Sequence, residues 1–316
     1  MDYLFSIMDK IFYIIILLGC GVLAKKRRWV SDQGEKDISN LVMDFVWPCL
    51  IFSSIVTSLT AADILANLWL PVLSIVMHGA GLLLGLAVSR LMGYYGERQR
   101  IFLFHSAMNN FFLMALPFAE FFFPDKGAAL LAVANLGSMI SLWVLGPLIM
   151  TGNLGLRQTL VNIFSPGLIA TLAGIVFALA GWGRFIPDLI MRSIQTAGQP
   201  TLFLGLMVAG FQIYKLGRQA LKFDAWNLLV GLLRNIVVPL LMLPLALALR
   251  GHIGDDSLAV FMLISVTPAS VNSVTMALKF NSSPRLAAEG VLFTHLLAVG
   301  TMVALVALTE WAFLAS

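Results

Sequence analysis

Charge is scarce in this chain: Asp, Glu, Lys and Arg make up 11% of its 316 residues, and the formal net charge is only +4. An ordinary soluble domain carries about 25% charged and about 45–50% apolar residues. Here 59% are hydrophobic and the mean hydropathy is +0.92, which excludes such a domain and leaves a polytopic membrane protein. So small a charge offers no basic face, and no nucleic-acid partner is expected. Cysteine is almost missing too. Cys20 and Cys49 each lie in an apolar stretch, so neither a disulfide framework nor a cysteine metal cluster can form. There is no His-Glu-x-x-His motif, no pair of catalytic acids and no Ser–His arrangement in one half of the membrane. No metal, no cofactor and no enzymatic activity are expected. Long polar connections are also lacking, so no soluble domain fits between the apolar runs.

What is there is a series of apolar runs. Crossing about 30 Å of hydrocarbon takes about 20 residues, and the runs give ten expected spans, 4–24, 36–58, 66–90, 101–123, 127–150, 163–182, 190–214, 225–249, 257–278 and 286–313. The first contains Leu17-Leu18-Gly19-Cys20, which resembles a lipoprotein cleavage site. Its flanks, Asp2 and Asp9 before it and Lys25-Lys26-Arg27-Arg28 after it, are those of a first span instead. Fourteen of the 20 Lys and Arg residues fall in the alternate loops 25–36, 90–100, 151–162, 215–224 and 279–285; five fall on the other side, and Arg234 lies within a span. The excess marks the cytoplasmic side of a plasma membrane, so both termini are expected outside.

The chain is organised around residues 258–281, where an apolar run is interrupted by Pro268 and then carries Ser270, Asn272, Ser273 and Thr275. Proline removes a backbone N–H and disturbs the carbonyl bond one turn earlier, which a membrane helix tolerates only where protein or a wet cavity satisfies those groups. Two readings stand: a kinked helix with polar packing contacts, or a binding site. A second interrupted run, 101–123, has Asn109 and Asn110 ahead of Pro117. Pro268 follows Pro117 by 151 residues and Pro200 follows Pro48 by 152, so two interruptions recur in the same order. This predicts two repeats, 1–155 and 156–316. Five spans in each, an odd number, put the second repeat in the opposite orientation. Matching Pro-interrupted segments in two halves point to the substrate site of a secondary transporter.

Other polar residues are open to two readings each. Asp44, one turn before Pro48, is a candidate for proton coupling or a structural carboxylate. His78, His105 and His295 are interhelical hydrogen-bond residues or, for His105, five residues before Asn110, a coupling group. Glu120 lines an entry path or reaches the interface, and Arg234 carries less weight. Asn135, Ser138 and Ser141 share one face of the fifth span, as packing contacts or as lining. Most of the Trp and Tyr residues, Trp29, Trp69, Trp182 and Tyr94 among them, lie near span ends, as an interfacial belt would.

These motifs resemble those of the auxin efflux carrier family. Asn110-Phe-Phe-Leu-Met-Ala-Leu-Pro117 resembles its fourth-helix element, Pro268-Ala-Ser-Val-Asn-Ser-Val-Thr-Met-Ala-Leu-Lys-Phe-Asn281 its ninth, and Trp47-Pro48-Cys49-Leu50-Ile51-Phe52 its Pro-x-Leu-x-Phe run. Ala115 departs from the Gly common before the crossover proline, and the long cytoplasmic loop of many plant members is missing, as in the compact bacterial type, whose members include carriers of malonate and similar carboxylates. The resemblance implies an all-α membrane protein with the ten-helix inverted-repeat fold shared with bile acid–sodium symporters, in which helices 4 and 9 unwind and cross at the substrate site, often in a homodimer.

The expected function is alternating-access transport of a small organic anion, a mono- or dicarboxylate. Asn109, Asn110, Pro117, Pro268, Ser270, Asn272 and Ser273 are the expected binding residues, Asp44 and His105 the coupling candidates, and Asn135 and Ser138 the lining candidates. Half-helix amino termini meeting at Pro117 and Pro268 would attract a carboxylate without a buried Lys or Arg. The alternatives are a sodium-coupled symporter on the same fold and a non-transporting membrane sensor; H+ and Na+ are the candidate coupling ions.

Overall fold

The computed structural model describes residues 2–111, 114–152, 164–216 and 224–313. Arg157, Arg218 and Lys222, which contributed to the loop count, lie outside them. Among the described residues the fold is all-helical, with no strand. In chain order the helices are α1 (Asp2–Lys26), α2 (Asp32–Leu41), α3 (Trp47–Ser58), α4 (Ala61–Ala66), α5 (Trp69–Leu91), α6 (Gly96–Ala107), α7 (Leu116–Phe122) and α8 (Gly127–Thr151). Then come α9 (Pro166–Leu179), α10 (Asp188–Gly198), α11 (Thr201–Leu216), α12 (Ala225–Leu232), α13 (Val238–Ala248), α14 (Asp255–Ser265), α15 (Asn272–Lys279) and α16 (Pro284–Phe313).

Helix starts follow side-chain chemistry. Ser31 accepts from Gly34 N–H at 3.0 Å ahead of α2, and Asp224 accepts from Asn227 N–H at 2.8 Å ahead of α12. Thr60 and Asp63 form a reciprocal capping box at α4. Two joints are widened instead of broken. π turns at Val42–Val46 and Leu233–Val237 fuse α2 to α3 and α12 to α13. Each precedes a proline, whose missing N–H leaves a carbonyl one turn back to be paired differently.

Among the described residues, four helical runs are long and apolar enough to cross a membrane: Asp32–Ser58, Ala61–Leu91, Gly127–Thr151 and Ala225–Ala248. Pro284–Ala298 and Gly300–Thr309, bent by 45°, meet the same test together. The expected spans 101–123, 190–214 and 257–278 are each two helices in the structure, separated at 108–115, 199–200 and 266–271. Proline explains the second break directly, since Pro200 cannot donate to the carbonyl four residues back. Thr201 Oγ1 fills part of the gap by donating to Gly198 O at 2.7 Å.

The helices pack in two groups. In one, α1 lies against α11, while α9 and α10 lie against α3. Helices α1 and α11 touch backbone to backbone: a Cβ on Gly21 would fall 2.1 Å from Met207 O, and one on Gly210 2.2 Å from Leu18 O. In the other, α5 packs on α6 and α8, and α16 on α12, α14 and α15. Helix α14 is buried from Ser257 to Ser265, and most of α8 is buried beside it.

Candidate functional site: a crossover of two broken helices and the cavity beside it

Where α6 and α14 end, their chains run extended and pair with each other. Asn110 N–H donates to Pro268 O at 2.8 Å and Ser270 N–H donates to Met108 O at 3.0 Å, so Asn109 and Ala269 face each other in an isolated antiparallel bridge. Unwound backbone deep in an apolar bundle needs partners, and each broken helix supplies them to the other. Pro268 can only accept, and accepting is what the bridge asks of it.

Side chains fix the crossing from behind. Asn109, fully buried, donates from Nδ2 to Ile264 O at 2.6 Å and to Thr267 Oγ1 at 2.8 Å, and its Oδ1 lies 3.0 Å from His78 Nε2. With both donors on acceptors, Oδ1 is the acceptor, so His78 Nε2 carries the proton. Ala269 N–H reaches Thr294 Oγ1 at 3.3 Å, and Asn235 Nδ2 donates to Thr294 O at 2.8 Å. Arg234, also fully buried, donates from Nε to Thr267 O at 3.1 Å and from Nη2 to Ser265 O.

In front of the crossing is a cavity of about 360 Å³, a size suited to a small ligand. One wall is Ser39, Asn40, Val42, Met43 and Trp47 of the α2–α3 helix, and another is Gly205, Val208, Ala209 and Gln212 of α11. The crossover side presents Asn109, Asn110, Phe111, Ser270, Val271, Asn272 and Thr275. No Asp, Glu, Lys, Arg or His among the described residues lines it. Polar recognition rests on the amides of Asn40, Asn110, Gln212 and Asn272, the hydroxyls of Ser39, Ser270 and Thr275, and the amino end of α15, which begins at Asn272. Asn110 is loosely held, its Nδ2 3.4 Å from His295 Nε2. One turn beyond the cavity, Lys25 Nζ lies 2.8 Å from Asp32 and 2.8 Å from Glu35, and Lys215 Nζ lies 3.2 Å and 2.9 Å from the same acids. Ser39 Oγ donates to Glu35 O at 2.8 Å, which joins this ion network to the wall.

The structure brings Asn109, Asn110, Ser270 and Asn272 together at the cavity, with Pro268 in the bridge beside them. It does not bring the other expected site residues there. The helices cross at Asn109 and Ala269, whereas Pro117 is buried in the first turn of the seven-residue α7, where a missing N–H costs nothing. Ser273 is buried in α15 off the cavity lining. Asp44 lies exposed on the π turn, outside the lining although its neighbours Val42 and Met43 belong to it. His105 is buried against Trp226, with ring centroids 6.1 Å apart, and its ring would collide with any Cβ on Gly290. Asn135 and Ser138 are buried in α8, without hydrogen-bond partners among the described residues and away from the cavity. Sequence reasoning missed Asn40 and Gln212. Gln212 carried a signal, as the one amide within the apolar run Leu202–Tyr214.

The sequence profile of a family described as membrane transport protein matches residues 6–159 and 150–306. The chain is also similar to the uncharacterized transporter MJ1031 of Methanocaldococcus jannaschii, with 24% identity over 238 residues, covering 73% of this chain and 76% of that protein. The matched segments take in both broken helices and both walls of the cavity, and the chain belongs to this membrane transport protein family, the auxin efflux carriers.

Proposed function

We propose that this transporter carries a small organic anion, a mono- or dicarboxylate, through the cavity beside the crossover, as a carrier and not an enzyme. The observation that carries the reading is the crossover itself. Two broken helices stitched by backbone hydrogen bonds face a cavity lined by amide donors and by the amino end of α15, and among the described residues no carboxylate lines it to repel an anion. A half-helix amino end bears about half a positive charge, which favours a carboxylate; the first N–H of α15 is already on Ser270 Oγ at 3.3 Å, so the dipole and the side-chain amides do the holding.

In this reading the chain has ten spans in two inverted repeats, 1–155 and 156–316, in a bacterial inner membrane, with both termini outside, and it works as a homodimer. The basic loops then put Glu35, Lys215 and Lys279 on the cytoplasmic side. Ser39, Gln212 and Thr275 lie about one turn inward from them, so the cavity belongs to an inward-facing state. Transport is a displacement of the crossover-bearing group against the wall of α2, α3 and α11.

The test is uptake and exchange in proteoliposomes across a panel of mono- and dicarboxylates with their amides as neutral controls. Saturable movement of at least one acid and not of its amide is expected. Movement of none of the acids would sink the reading.

A further inference from the structure

The carboxyl end of a broken membrane helix leaves carbonyl oxygens without helical partners and bears the negative end of the helix dipole, which is where secondary transporters hold a coupling cation. In this chain those oxygens belong to Ser265 and Thr267, at the end of α14, and a side chain already covers them. Arg234 donates to Thr267 O from Nε at 3.1 Å and to Ser265 O from Nη2. It is fully buried, and among the described residues no carboxylate lies within ion-pair distance of it. Guanidinium stays protonated in proteins, so a positive charge sits at the centre of the bundle with carbonyl dipoles as its counterpart. A lone charge so placed is costly unless it does the work of an ion. The π turn at Leu233–Val237 carries it, and the next residue, Asn235, anchors the same turn to Thr294 O at 2.8 Å.

We propose that Arg234 is a tethered cation that permanently occupies the crossover's cation position, so that the carrier moves its substrate without binding sodium there. This rests on reading the chain as a carrier, and it deepens that reading by deciding against the sodium-coupled alternative. The side-chain oxygen that could complete a sodium site from the other broken helix, Asn109 Oδ1, is already engaged by His78. The fixed charge travels with the crossover, so the driving force must come from the substrate gradient, the membrane potential or another ion elsewhere.

The experiment is a melting series on purified full-length protein in sodium, potassium and choline chlorides at equal ionic strength, for wild type, Arg234→Ala and Arg234→Lys. Wild type is expected to melt at one temperature in all three salts. Arg234→Ala should melt several degrees lower and recover part of the loss in millimolar guanidinium or sodium but not in choline, because an emptied cation site becomes available to a diffusible ion. Arg234→Lys, which keeps the charge and loses the fork, should melt lower than wild type and stay insensitive to sodium. Sodium-specific stabilisation of wild type would overturn the proposal, as would a folded Arg234→Ala that no cation rescues. If the alanine variant does not fold, the lysine variant decides: sodium sensitivity in it would overturn the proposal, and insensitivity supports it. The readout needs no substrate, so a failed carboxylate screen and a failed cation proposal remain distinguishable.

Discussion

Two π turns stand at the same spacing before a proline in this molecule, Val42–Val46 before Pro48 and Leu233–Val237 before Pro239, and they send opposite charges to opposite places. In both, proline leaves the carbonyl four residues back without its donor, that of Asp44 in one and that of Asn235 in the other. Both respond alike. Trp47 N–H reaches Val42 O and Val238 N–H reaches Leu233 O, a pairing one residue longer than in an α-helix. Yet Asp44, third in its turn, is exposed, while Arg234, second in its turn, is fully buried on the crossover carbonyls. Position within the turn does not decide this, since Met43, second in the first turn, is exposed and Asn235, third in the second, is fully buried: the second turn sits inside the bundle and the first on its edge. A charged residue near a helix interruption therefore says little until its place in the bundle is known. The crossover turn is a clamp, and the other turn is a wall of the cavity.

The largest test of that contrast is Asn109→Ala, which removes the clamp's central amide. Three contacts go at once, to Ile264, Thr267 and His78; Ile264 O keeps Thr267 Oγ1 at 2.8 Å, but the bond that links the two broken helices is lost and His78 Nε2 stays buried. A loss of about 3 kcal/mol or more in stability is expected, read as a large fall in melting temperature or in folded yield. A variant that melts like wild type but loses only substrate affinity would make Asn109 a ligand instead of a clamp.

On the cavity side the expected signature is reversed. Asn110→Ala, Asn272→Ala and Gln212→Ala should each leave the melting temperature nearly unchanged and weaken carboxylate binding by about 1.5–3 kcal/mol, roughly tenfold to more than a hundredfold. Titration of the purified variants with the best acid from the transport panel measures it. Unchanged affinity in all three would move the site away from the crossover.

The wall turn has its own anchor one turn beyond the cavity, so Lys25→Met asks whether charge does for the wall what hydrogen bonds do for the clamp. Lys25 is buried between Asp32 and Glu35, but Lys215 still pairs with both acids when it is gone. The expected cost is about 1–2 kcal/mol, smaller in high salt differences than for a surface pair because the site is half screened by protein. A drop as large as that of Asn109→Ala would place the main anchor at the ion network.

The breaks themselves were legible because proline and amides are rare inside apolar runs, and the pairing of the Pro117 and Pro268 segments followed from their matched spacing. The crossing point was less legible. Proline marks where a helix can restart, and Pro117 does so at α7, but the chains cross at Asn109 and Ala269, where the extended backbone can pair. Nor could sequence separate Asn109 from Asn110. Both residues border the cavity, but adjacent side chains on an extended segment point to opposite sides, so the Asn109 amide is spent on Ile264, Thr267 and His78 while that of Asn110 is left to the cavity. The surroundings of Arg234 were hidden for a related reason: its partners are backbone carbonyls 31 and 33 residues away, which no side-chain motif announces.

The smallest expected effect belongs to Asp44→Asn, and it is the sharpest control on the comparison. The side chain is exposed on the outer face of the wall turn, takes no part in lining the cavity, and has none of the crossover's carbonyls within its reach. Asparagine keeps its shape and removes its charge. Among the described residues no hydrogen bond or ion pair holds it, so melting temperature, transport rate and the pH dependence of that rate should all match wild type. If instead the rate or its pH profile shifts while the melting temperature holds, Asp44 carries the coupling proton from outside the cavity. The two π turns would then be a matched pair of charge carriers, one fixed and one titrating, instead of a clamp and a wall.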